Sequence, residues 1–459
     1  MFISWRVPVL VLLGIGPVLL RPENSTVWAW LGLVLLVVVL DVVLAPSRSA
    51  LHVVRRPVGR TRKGDAGSTT LEVTNTGRRT VRGVVRDAWQ PSAGASNNRH
   101  RLHLTPSARA DVTGGLRPTR RGDLHTDRVT VRTLGPLGLA GRQGAIDVPG
   151  TLRVLPAFPS IKHLPSRLAQ LRELDGRAAV RVRGQGTEFD SLREYVSGDD
   201  IRSVDWRASA RSRAVVVRTW QPERDRRLVL VLDTGRTSAG RVGDGPRLDA
   251  AMDAGLLLAT LATRAGDRVS FVAGDLGVRS QLKGSHRHDG VENMQDAMAG
   301  LQPVLAETNW RRLVGAVDSL GRQRALVVLL TALEPSAIQS GLLPLVAPLT
   351  ARHRVLVASV RDPEIDRLAQ DRGDARSTYA AAAAEQAAAQ RDGTARLLSA
   401  LGVEVLDADA EKLPVRLADH YLALKARGLL QPAVATLASS SASSMSPVQP
   451  LRTARRPGP

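Results

Sequence analysis

The stretch "LVLVLDT", residues Leu228–Thr234, decides the fold of the C-terminal half of the chain. Five apolar residues run without a polar neighbour and end in Asp233, which is typical of a strand buried on both faces of a parallel sheet. A helical pattern follows, and further apolar runs alternate with helical patterns: "RVSFVAGD", "ALVVLLT", "RVLVASVRD" and "GVEVLDA". This alternation predicts an α/β doubly wound domain over residues 227–430.

Polar residues follow the ends of these strands. Doubly wound sheets bind ligands at the carboxyl ends of their strands. We therefore expect Asp233, Thr308 and the Thr331–Glu334 turn at or near that edge, where they would form one candidate site.

A second candidate site precedes this domain, in "EFDSLREYVSGDDIRSVDWRASAR", residues Glu188–Arg211. It concentrates six carboxylates in a chain whose formal net charge is +21. One interpretation is a catalytic acid/base pair, but the segment contains no histidine. A structural interpretation is also open, in which the acids cap turns and pair with neighbouring arginines.

The structural interpretation makes specific predictions. Ser191 and Glu194 have the spacing of a capping box. Asp200 is expected to cap the turn that follows it. Tyr195 and Trp206 are expected to be buried against the sheet.

In the third interpretation, the segment is a docking surface on which carboxylates and aromatic rings steer and anchor a basic partner. A rigid ion-paired scaffold also presents its outward charges in fixed positions, so the structural and docking roles stay open together. The candidate partner-binding residues are Glu188, Asp190, Glu194, Tyr195, Asp199, Asp200, Asp205 and Trp206.

Two apolar segments, Val7–Leu20 and Val27–Leu40, open the chain. The second approaches the length of about 20 apolar residues that crosses a bilayer, and the first is shorter. A signal peptide is the alternative for the first segment, although no small-residue cleavage site follows it. The basic residues after the second segment should stay cytoplasmic: Arg48, Arg55, Arg56, Arg60, Arg62 and Lys63. We predict two transmembrane helices within residues 1–45 of an inner (plasma) membrane protein, with its bulk in the cytoplasm.

Between the membrane segments and the α/β domain, short β-rich runs and turn residues predict an immunoglobulin-like β-sandwich over residues 51–155. In it, "PTRRGDLHTDR" is locally basic and forms either a solvated rim or a contact with lipid phosphates. Residues 156–226 are a connector that carries the acidic stretch. Residues 431–459 are Pro/Ser-rich and aperiodic, which predicts a disordered tail.

Composition excludes some classes of function. The chain has no cysteine, so disulfides, thiolate catalysis and cysteine-ligated metals are ruled out. Only 3% of its residues are aromatic, and the positive charge is spread along the chain. The composition therefore argues against nucleic-acid binding as the main role, because a basic patch with aromatic platforms for stacked bases is missing.

The stretch "GTEFDSLREYVSGDDIRSVDWRASAR" closely resembles the motif of a bacterial family called domain of unknown function 58. "TLGPLGLAGR", residues Thr133–Arg142, resembles the family's Asp-Pro-Phe-Gly-Leu turn, with Gly135 and Leu137 in place of Asp and Phe. The resemblance implies a von Willebrand factor A-like domain at the C-terminal end. Such proteins are often encoded beside MoxR-type AAA+ ATPases and transglutaminase-like membrane proteins, which implies these two as partners.

The resemblance also implies a divalent-metal site of the pattern Asp-x-Ser-x-Ser, with a loop Thr and a later Asp. Here the first motif reads Asp233-Thr-Gly235-Arg-Thr237, and Thr308 stands for the loop Thr. Thr331-Ala332 replaces the later Thr-Asp pair. The candidate ligands are Asp233, Thr237 and Thr308, with Mg²⁺ as the ion that hard oxygen ligands suit. Because one charged ligand remains, we expect no bound cofactor and expect Asp233 to order its turn.

The sequence thus predicts a membrane-anchored, non-enzymatic scaffold or adaptor for protein interactions. The alternative is a divalent-metal-dependent enzyme or adhesion-type receptor that uses the sheet edge at Asp233.

Overall fold

The computed structural model of the protein describes residues 1–181, 188–212, 214–221, 226–285, 289–321 and 323–427. It contains an apolar N-terminal region, a β module and an α/β domain. The prediction of a multidomain protein of mixed helix and sheet with an apolar N-terminal helix is confirmed. The predicted disordered tail, residues 431–459, lies outside the described residues.

The N-terminal region comprises β1 (Phe2–Ile3), α1 (Arg6–Leu12), α2 (Ile15–Leu20) and α3 (Asn24–Leu44). Among the described residues, one helical stretch, Asn24–Ala50, is long and apolar enough to cross a membrane, with a hydropathy of 2.7. The first apolar segment is divided into α1 and α2, and neither is long enough to cross the roughly 30 Å hydrocarbon core alone. A second span therefore stays a prediction.

The β module follows as two sheets that enclose a core. Its strands are β2 (Leu51–Arg55), β3 (Thr61–Arg62), β4 (Gly67–Asn75), β5 (Val81–Asp87), β6 (Arg99–Leu104), β7 (Arg109–Leu116), β8 (Gly122–Leu134) and β9 (Ala140–Leu155). One sheet has the order β2-β4-β7, and the other has the order β1-β9-β8-β5-β6 with β3 beside β9. Leu71 and Val73 of the smaller sheet pack with Val85 and Val131 of the larger one, because alternate residues of each strand point inward.

A buried carboxylate joins α3 to the β module. Asp41, near the end of α3, is fully buried, and it accepts hydrogen bonds from the amides of Leu137 and Leu139 at 2.8 Å and of Ala140 at 2.9 Å. A Cβ atom at Gly135 would lie 2.3 Å from Asp41 Oδ1. The turn of the "TLGPLGLAGR" motif is therefore fitted to α3, and glycine at position 135 allows this close approach.

Most of the basic cluster after α3 is bound by the protein itself. Arg55 forms a buried pair with Asp87 at 2.7 Å, and Arg56 pairs with Asp111 at 2.6 Å. The following basic residues reach the α/β domain, where Arg60 pairs with Asp296, Arg62 donates to Gln295 and Lys63 pairs with Asp249. The basic residues that were expected near the membrane therefore help to hold the two domains together.

Arg121 strengthens this contact between the domains. It is 5% exposed, donates to Leu301 O from Nε at 3.0 Å and from Nη2 at 2.6 Å, and pairs with Asp249. Burial, with a smaller effect of Arg120, lowers the pKa of Arg121 to about 10. At this residue the interpretation of "PTRRGDLHTDR" as a solvated rim or lipid contact is wrong, because the side chain lies in the interface between the domains.

Helix α4 (Leu164–Arg181) leads to a hairpin of β10 (Glu188–Glu194) and β11 (Val216–Gln221), with the short helix α5 (Trp206–Ser209) between them.

The α/β domain begins at β12. Its strands are β12 (Arg227–Asp233), β13 (Arg241–Val242), β14 (Gly245–Pro246), β15 (Arg268–Gly274), β16 (Val278–Ser285), β17 (Leu326–Leu330), β18 (Arg354–Arg361) and β19 (Glu404–Asp409). Its helices are α6 (Arg247–Arg264), α7 (Asp289–Ala299), α8 (Trp310–Leu320), α9 (Pro335–Ala337), α10 (Leu343–Arg352), α11 (Pro363–Gln370), α12 (Ala375–Ala400) and α13 (Leu413–Ala426).

The main sheet of this domain has the order β16-β15-β12-β17-β18-β19. All neighbouring pairs are parallel except β15 and β16. Leu228, Leu230 and Leu232 pack with α6, α7 and α13 on one face, whereas Val229 and Val231 pack with α8 and α10 on the other. The uninterrupted apolar run of β12 is explained by burial on both faces.

One candidate site lies at the carboxyl edge of this sheet. Asp233 ends β12 at the carboxyl edge, and the β module contacts the same side through Asp249 in the first turn of α6 and Asp296 near the end of α7. The β10–β11 hairpin precedes β12 in the chain, and residues 222–225 between them lie outside the described part of the structure.

Candidate functional site

The acidic stretch forms a small unit, residues 188–221, which we call the finger. Its strands β10 and β11 pair only with each other among the described strands. Val204 bridges to Val217, and these two residues and Val216 are buried, although none of them belongs to the four large core clusters. The finger is thus held by its own turns and ion pairs.

Asp199 and Asp200 fix the first turn of the finger. Asp199 accepts hydrogen bonds from Arg193 at 2.8 and 2.6 Å and from the amide of Val196 at 2.9 Å. The hydrogen bond from Arg193, followed by that from Val196, lowers the pKa of Asp199. Asp200 accepts from the amide of Arg202 at 3.0 Å and caps a 3-10 turn, as the sequence predicted.

Asp205 fixes the second turn, at the start of α5. It accepts from the amides of Arg207 at 3.0 Å and Ala208 at 2.9 Å, and it pairs with Arg218 of β11 at 2.9 Å. The amide of Ala208, then Arg218, lowers the pKa of Asp205. Three of the six carboxylates of this stretch therefore stabilise its backbone.

Two structural predictions for this stretch are wrong. Ser191 and Glu194 both lie in strand β10 and cap no helix, because pairing with β11 gives these residues an extended backbone. Tyr195 is 37% exposed and Trp206 is 68% exposed, since the finger stands apart from the sheet that was expected to cover them. The side chains of Glu188 and Asp190 lie outside the described part of the chain.

The outer surface of the finger combines apolar side chains with arginines. Ile201 is 67% exposed and Val196 is 61% exposed, and both lie near Trp206 in the chain. Three exposed arginines, Arg202, Arg207 and Arg211, make no side-chain hydrogen bond or ion pair with the residues that the structure describes. Since Asp199, Asp200 and Asp205 serve the turns, the described exposed side chains of this surface are mainly apolar and basic, with Glu194 as an exposed acid that serves no turn.

At the carboxyl edge of the sheet, the Asp233 carboxylate gathers donors from three loops. Its Oδ1 accepts from Thr308 Oγ1 at 2.5 Å and from the amide of Gly235 at 2.8 Å. Its Oδ2 accepts from Thr237 Oγ1 at 2.9 Å and from Thr331 Oγ1 at 2.6 Å. The side chain of Asp233 is almost completely buried, and four donors fill the approximately four acceptor positions of a carboxylate.

These residues do not fit a Mg²⁺ site well. Asp233 is the one charged candidate ligand, and its oxygens are already occupied by protein donors. A Cβ atom at Gly235 would lie 2.2 Å from Thr308 Oγ1, so the residue that replaces the middle serine of the motif lets Thr308 close on the carboxylate. In the described ranges, no group of three or more His, Asp or Glu side chains could hold a metal ion. The geometry suits a carboxylate that orders its loops.

An ion-pair cluster that the sequence did not predict crosses the same loops. Arg236 donates from Nε to Glu307 at 2.8 Å and from Nη2 to Glu334 at 2.7 Å. The hydrogen bonds that Arg236 donates to Glu334 and then to Glu307 raise the pKa of Arg236 above its ordinary value. The sequence did place the turn that contains Glu334 at the carboxyl edge of the sheet. It gave no local spacing that joins Arg236 to Glu307 or Glu334, because both partners are distant in sequence.

With this geometry in place, comparison with known proteins identifies a related class. Residues 191–391, which include most of the finger and much of the α/β domain, match the model of the family described as "Protein of unknown function DUF58". The predicted resemblance to this family is confirmed over those residues. One relative, "Uncharacterized protein YeaD" of Bacillus subtilis (strain 168), is 27% identical over 113 residues, or 25% of this chain. The match spans 28% of that protein's length.

Likenesses to solved structures are weak. The CARDB domain of a Pyrococcus furiosus protein in complex with di-metal ions is 15% identical and matches 23% of this chain and 91% of its own, with a TM-score of 0.18. The native conformation of Escherichia coli alpha-2-macroglobulin is 16% identical and matches 23% of this chain and 7% of its own, with a TM-score of 0.19. TM-scores this low carry no argument about the chain.

Proposed function

We propose that the chain is a membrane-anchored, non-enzymatic scaffold or adaptor that docks a partner protein on its finger. The exposed Trp206 carries this proposal, since it stands 68% exposed on a unit that its own carboxylates hold in shape. Tryptophan and arginine are enriched among the residues that dominate binding energy at protein interfaces. A preformed surface also loses little conformational entropy on binding.

The exposed residues have enough apolar area for an anchor. Full burial of a side chain such as Ile201 in a partner contributes about 1.5–3 kcal/mol, and a tryptophan offers a larger area. Arg202 and Arg207 flank these side chains and can pair with carboxylates of the partner. The docking residues of our proposal thus shift from the acids of the stretch to its apolar residues and arginines.

The resemblance to domain of unknown function 58 proteins supports a MoxR-type AAA+ ATPase as the docked partner, with a transglutaminase-like membrane protein as a further one. We also assign the α/β domain to the von Willebrand factor A-like class. The parallel sheet with helices on both faces and the position of Asp233 at the end of β12 support this assignment.

For location, we propose the inner (plasma) membrane with the bulk of the chain in the cytoplasm. The apolar α3 and the basic residues that follow it support this orientation. A two-pass topology requires the α1–α2 segment to complete a second span. Labelling of the α/β domain from outside intact cells would contradict this arrangement.

The docking role can be tested with purified full-length protein in detergent and a purified MoxR-type ATPase. We expect Trp206→Ala to weaken binding by about tenfold or more, as anchor residues do, without changing the thermal unfolding midpoint. Tyr379→Ala, which truncates an aromatic residue that is 80% exposed on α12, is the matched control. Equal affinities of the unaltered protein, Trp206→Ala and Tyr379→Ala for the ATPase would exclude the finger as the docking surface.

A divalent-metal-dependent enzyme or adhesion-type receptor is the second candidate. The convergence of Asp233, Thr237 and Thr308 at the sheet edge favours it, although the hydroxyls already bind the carboxylate. Calorimetric titration with Mg²⁺ separates the two candidates, because micromolar binding that is lost in Asp233→Ala would support a metal site. Robust hydrolase turnover abolished by Asp233→Ala or Glu194→Ala would contradict the non-enzymatic role.

A further inference from the structure

We infer that one outer face of the β module binds anionic lipid headgroups of the membrane that carries α3. The inference rests on the membrane anchoring proposed above and concerns a surface other than the finger. We call this surface the basic face, and its residues are Arg82, Arg86, Arg99, Arg101, His103 and Arg132.

The strand register places these side chains together. In the antiparallel pair of β5 and β6, Arg82 lies opposite His103 and Arg86 lies opposite Arg99. Val84 lies opposite Arg101 on one side and Arg132 of β8 on the other. Like charges directly opposite each other destabilise a sheet, so an anion bound from outside the strands would stabilise the Arg86–Arg99 pair.

The described part of the protein supplies little such negative charge. Arg82, Arg86, Arg99 and Arg101 are exposed and form no ion pair with any described residue. Other arginines of the module do have carboxylate partners, such as Arg153 with Asp123 at 2.7 Å. The basic face therefore differs from an ordinary solvated surface, on which charges of both signs are mixed.

The position of the face points to the bilayer. Thr133, next to Arg132, donates to Pro46 O just beyond α3 at 2.7 Å. Arg142 of the same sheet donates to Val42 O near the helix end at 3.1 Å. Arg132 lies over the ring of Phe2, 5.5 Å from its centroid. Gly135 lies against Asp41 of α3, and Arg132 is three residues from Gly135 along the chain. Arg132 therefore lies about 10 Å from the helix. This distance is about one Debye length.

The chemistry of arginine suits phosphate groups. Its planar guanidinium binds phosphate oxygens in a bidentate manner, and each basic residue near an anionic bilayer increases the bound population severalfold. A nucleic acid carries the same phosphates, but no exposed aromatic side chain lies among the residues of the basic face to stack on bases. The proximity of α3 favours lipid.

The test uses full-length protein in lipid nanodiscs. Since the chain has no cysteine, Val84→Cys introduces a single labelling site for a fluorophore within the basic face. Lipids with nitroxide headgroups quench this fluorophore when the face approaches the bilayer. Tyr379→Cys on α12 gives the corresponding distant label. Discs are made from phosphatidylcholine alone or from a mixture with phosphatidylglycerol.

We expect phosphatidylglycerol to increase quenching at position 84 but not at position 379, and high salt to reverse the increase. In the variant Arg82→Gln/Arg86→Gln/Arg99→Gln/Arg101→Gln, the ratio of quenched to unquenched protein should fall about tenfold or more. A control of equal charge change on the α/β domain should leave this ratio unaltered: Arg311→Gln/Arg312→Gln/Arg376→Gln/Arg396→Gln.

Three results would overturn the inference: quenching that ignores phosphatidylglycerol, an equal loss in both quadruple variants, or unaltered quenching accompanied by weaker binding of duplex DNA in the first variant. The last result would identify a nucleic-acid surface. Retention of the protein in the discs reports separately on the proposed anchoring, so failure of the anchor and failure of the basic face can be distinguished.

Discussion

Replacement of Asp233 with alanine should destabilise the α/β domain, because Asp233 ends β12, an inner strand of the main sheet. The change leaves the hydroxyls of Thr237 and Thr331, each 6% exposed, without the acceptor they now share. An unsatisfied buried donor costs about 1–3 kcal/mol, and the removal of a desolvated charge offsets part of that loss. We therefore expect the free energy of opening of β12 to fall by about 2–4 kcal/mol.

Hydrogen exchange of the β12 amides in the full-length protein measures this loss locally and needs no two-state unfolding of the whole chain. Asp233→Asn keeps one acceptor oxygen and should lose less. Thr331→Val should add little to Asp233→Ala, because both changes remove the same hydrogen bond. A loss below about 1 kcal/mol, or protection by Mg²⁺ that disappears in Asp233→Ala, would refute an ordering role for the carboxylate.

Three further predictions concern other buried polar groups. Asp41→Ala should speed hydrogen exchange of the amides in the 137–140 turn, and slow exchange there would contradict the role of this carboxylate. Burial lowers the pKa of His353, so the folded state binds its proton less readily and should lose stability as the pH falls through the ordinary value of about 6.5. In His353→Gln, the thermal midpoint should fall less between neutral and mildly acid pH. Asp87→Ala, which leaves a buried guanidinium unpaired, should lower the free energy of opening measured by hydrogen exchange of the β5 amides by about 3–5 kcal/mol, whereas Asp111→Ala at an exposed pair should cost under about 1 kcal/mol.

The strands and helices of the α/β domain were predicted well because their apolar residues recur in regular patterns. The apolar run of β12 and the helical pattern of α6 are local signals, and burial on both faces leaves few alternatives for such a strand. The approach of Thr308 to Asp233 followed from the rule that parallel strands end at one edge. Capping by Asp200 followed from local turn chemistry.

Contacts between distant segments were harder to predict. Arg236 meets Glu307 and Glu334 only because three loops converge, and no spacing in the sequence reveals that. Trp206 was expected inside because large aromatic rings are usually well buried, yet its segment folds as a separate hairpin. The pairing of Lys63 with Asp249 across the two domains was not predicted, because Lys63 follows the apolar segments closely in the sequence and was expected near the membrane.

The bonds of Asp41 have a mechanical consequence for the protein. One end of β9 is fixed to α3 through Ala140, and near the other end Arg153 donates to Asp296 O of α7 at 2.6 Å. A strand of this length spans about 50 Å, so β9 links the end of α3 directly to the α/β domain. In the membrane topology proposed above, a tilt of α3 imposed by membrane thickness would be transmitted along β9 to that domain.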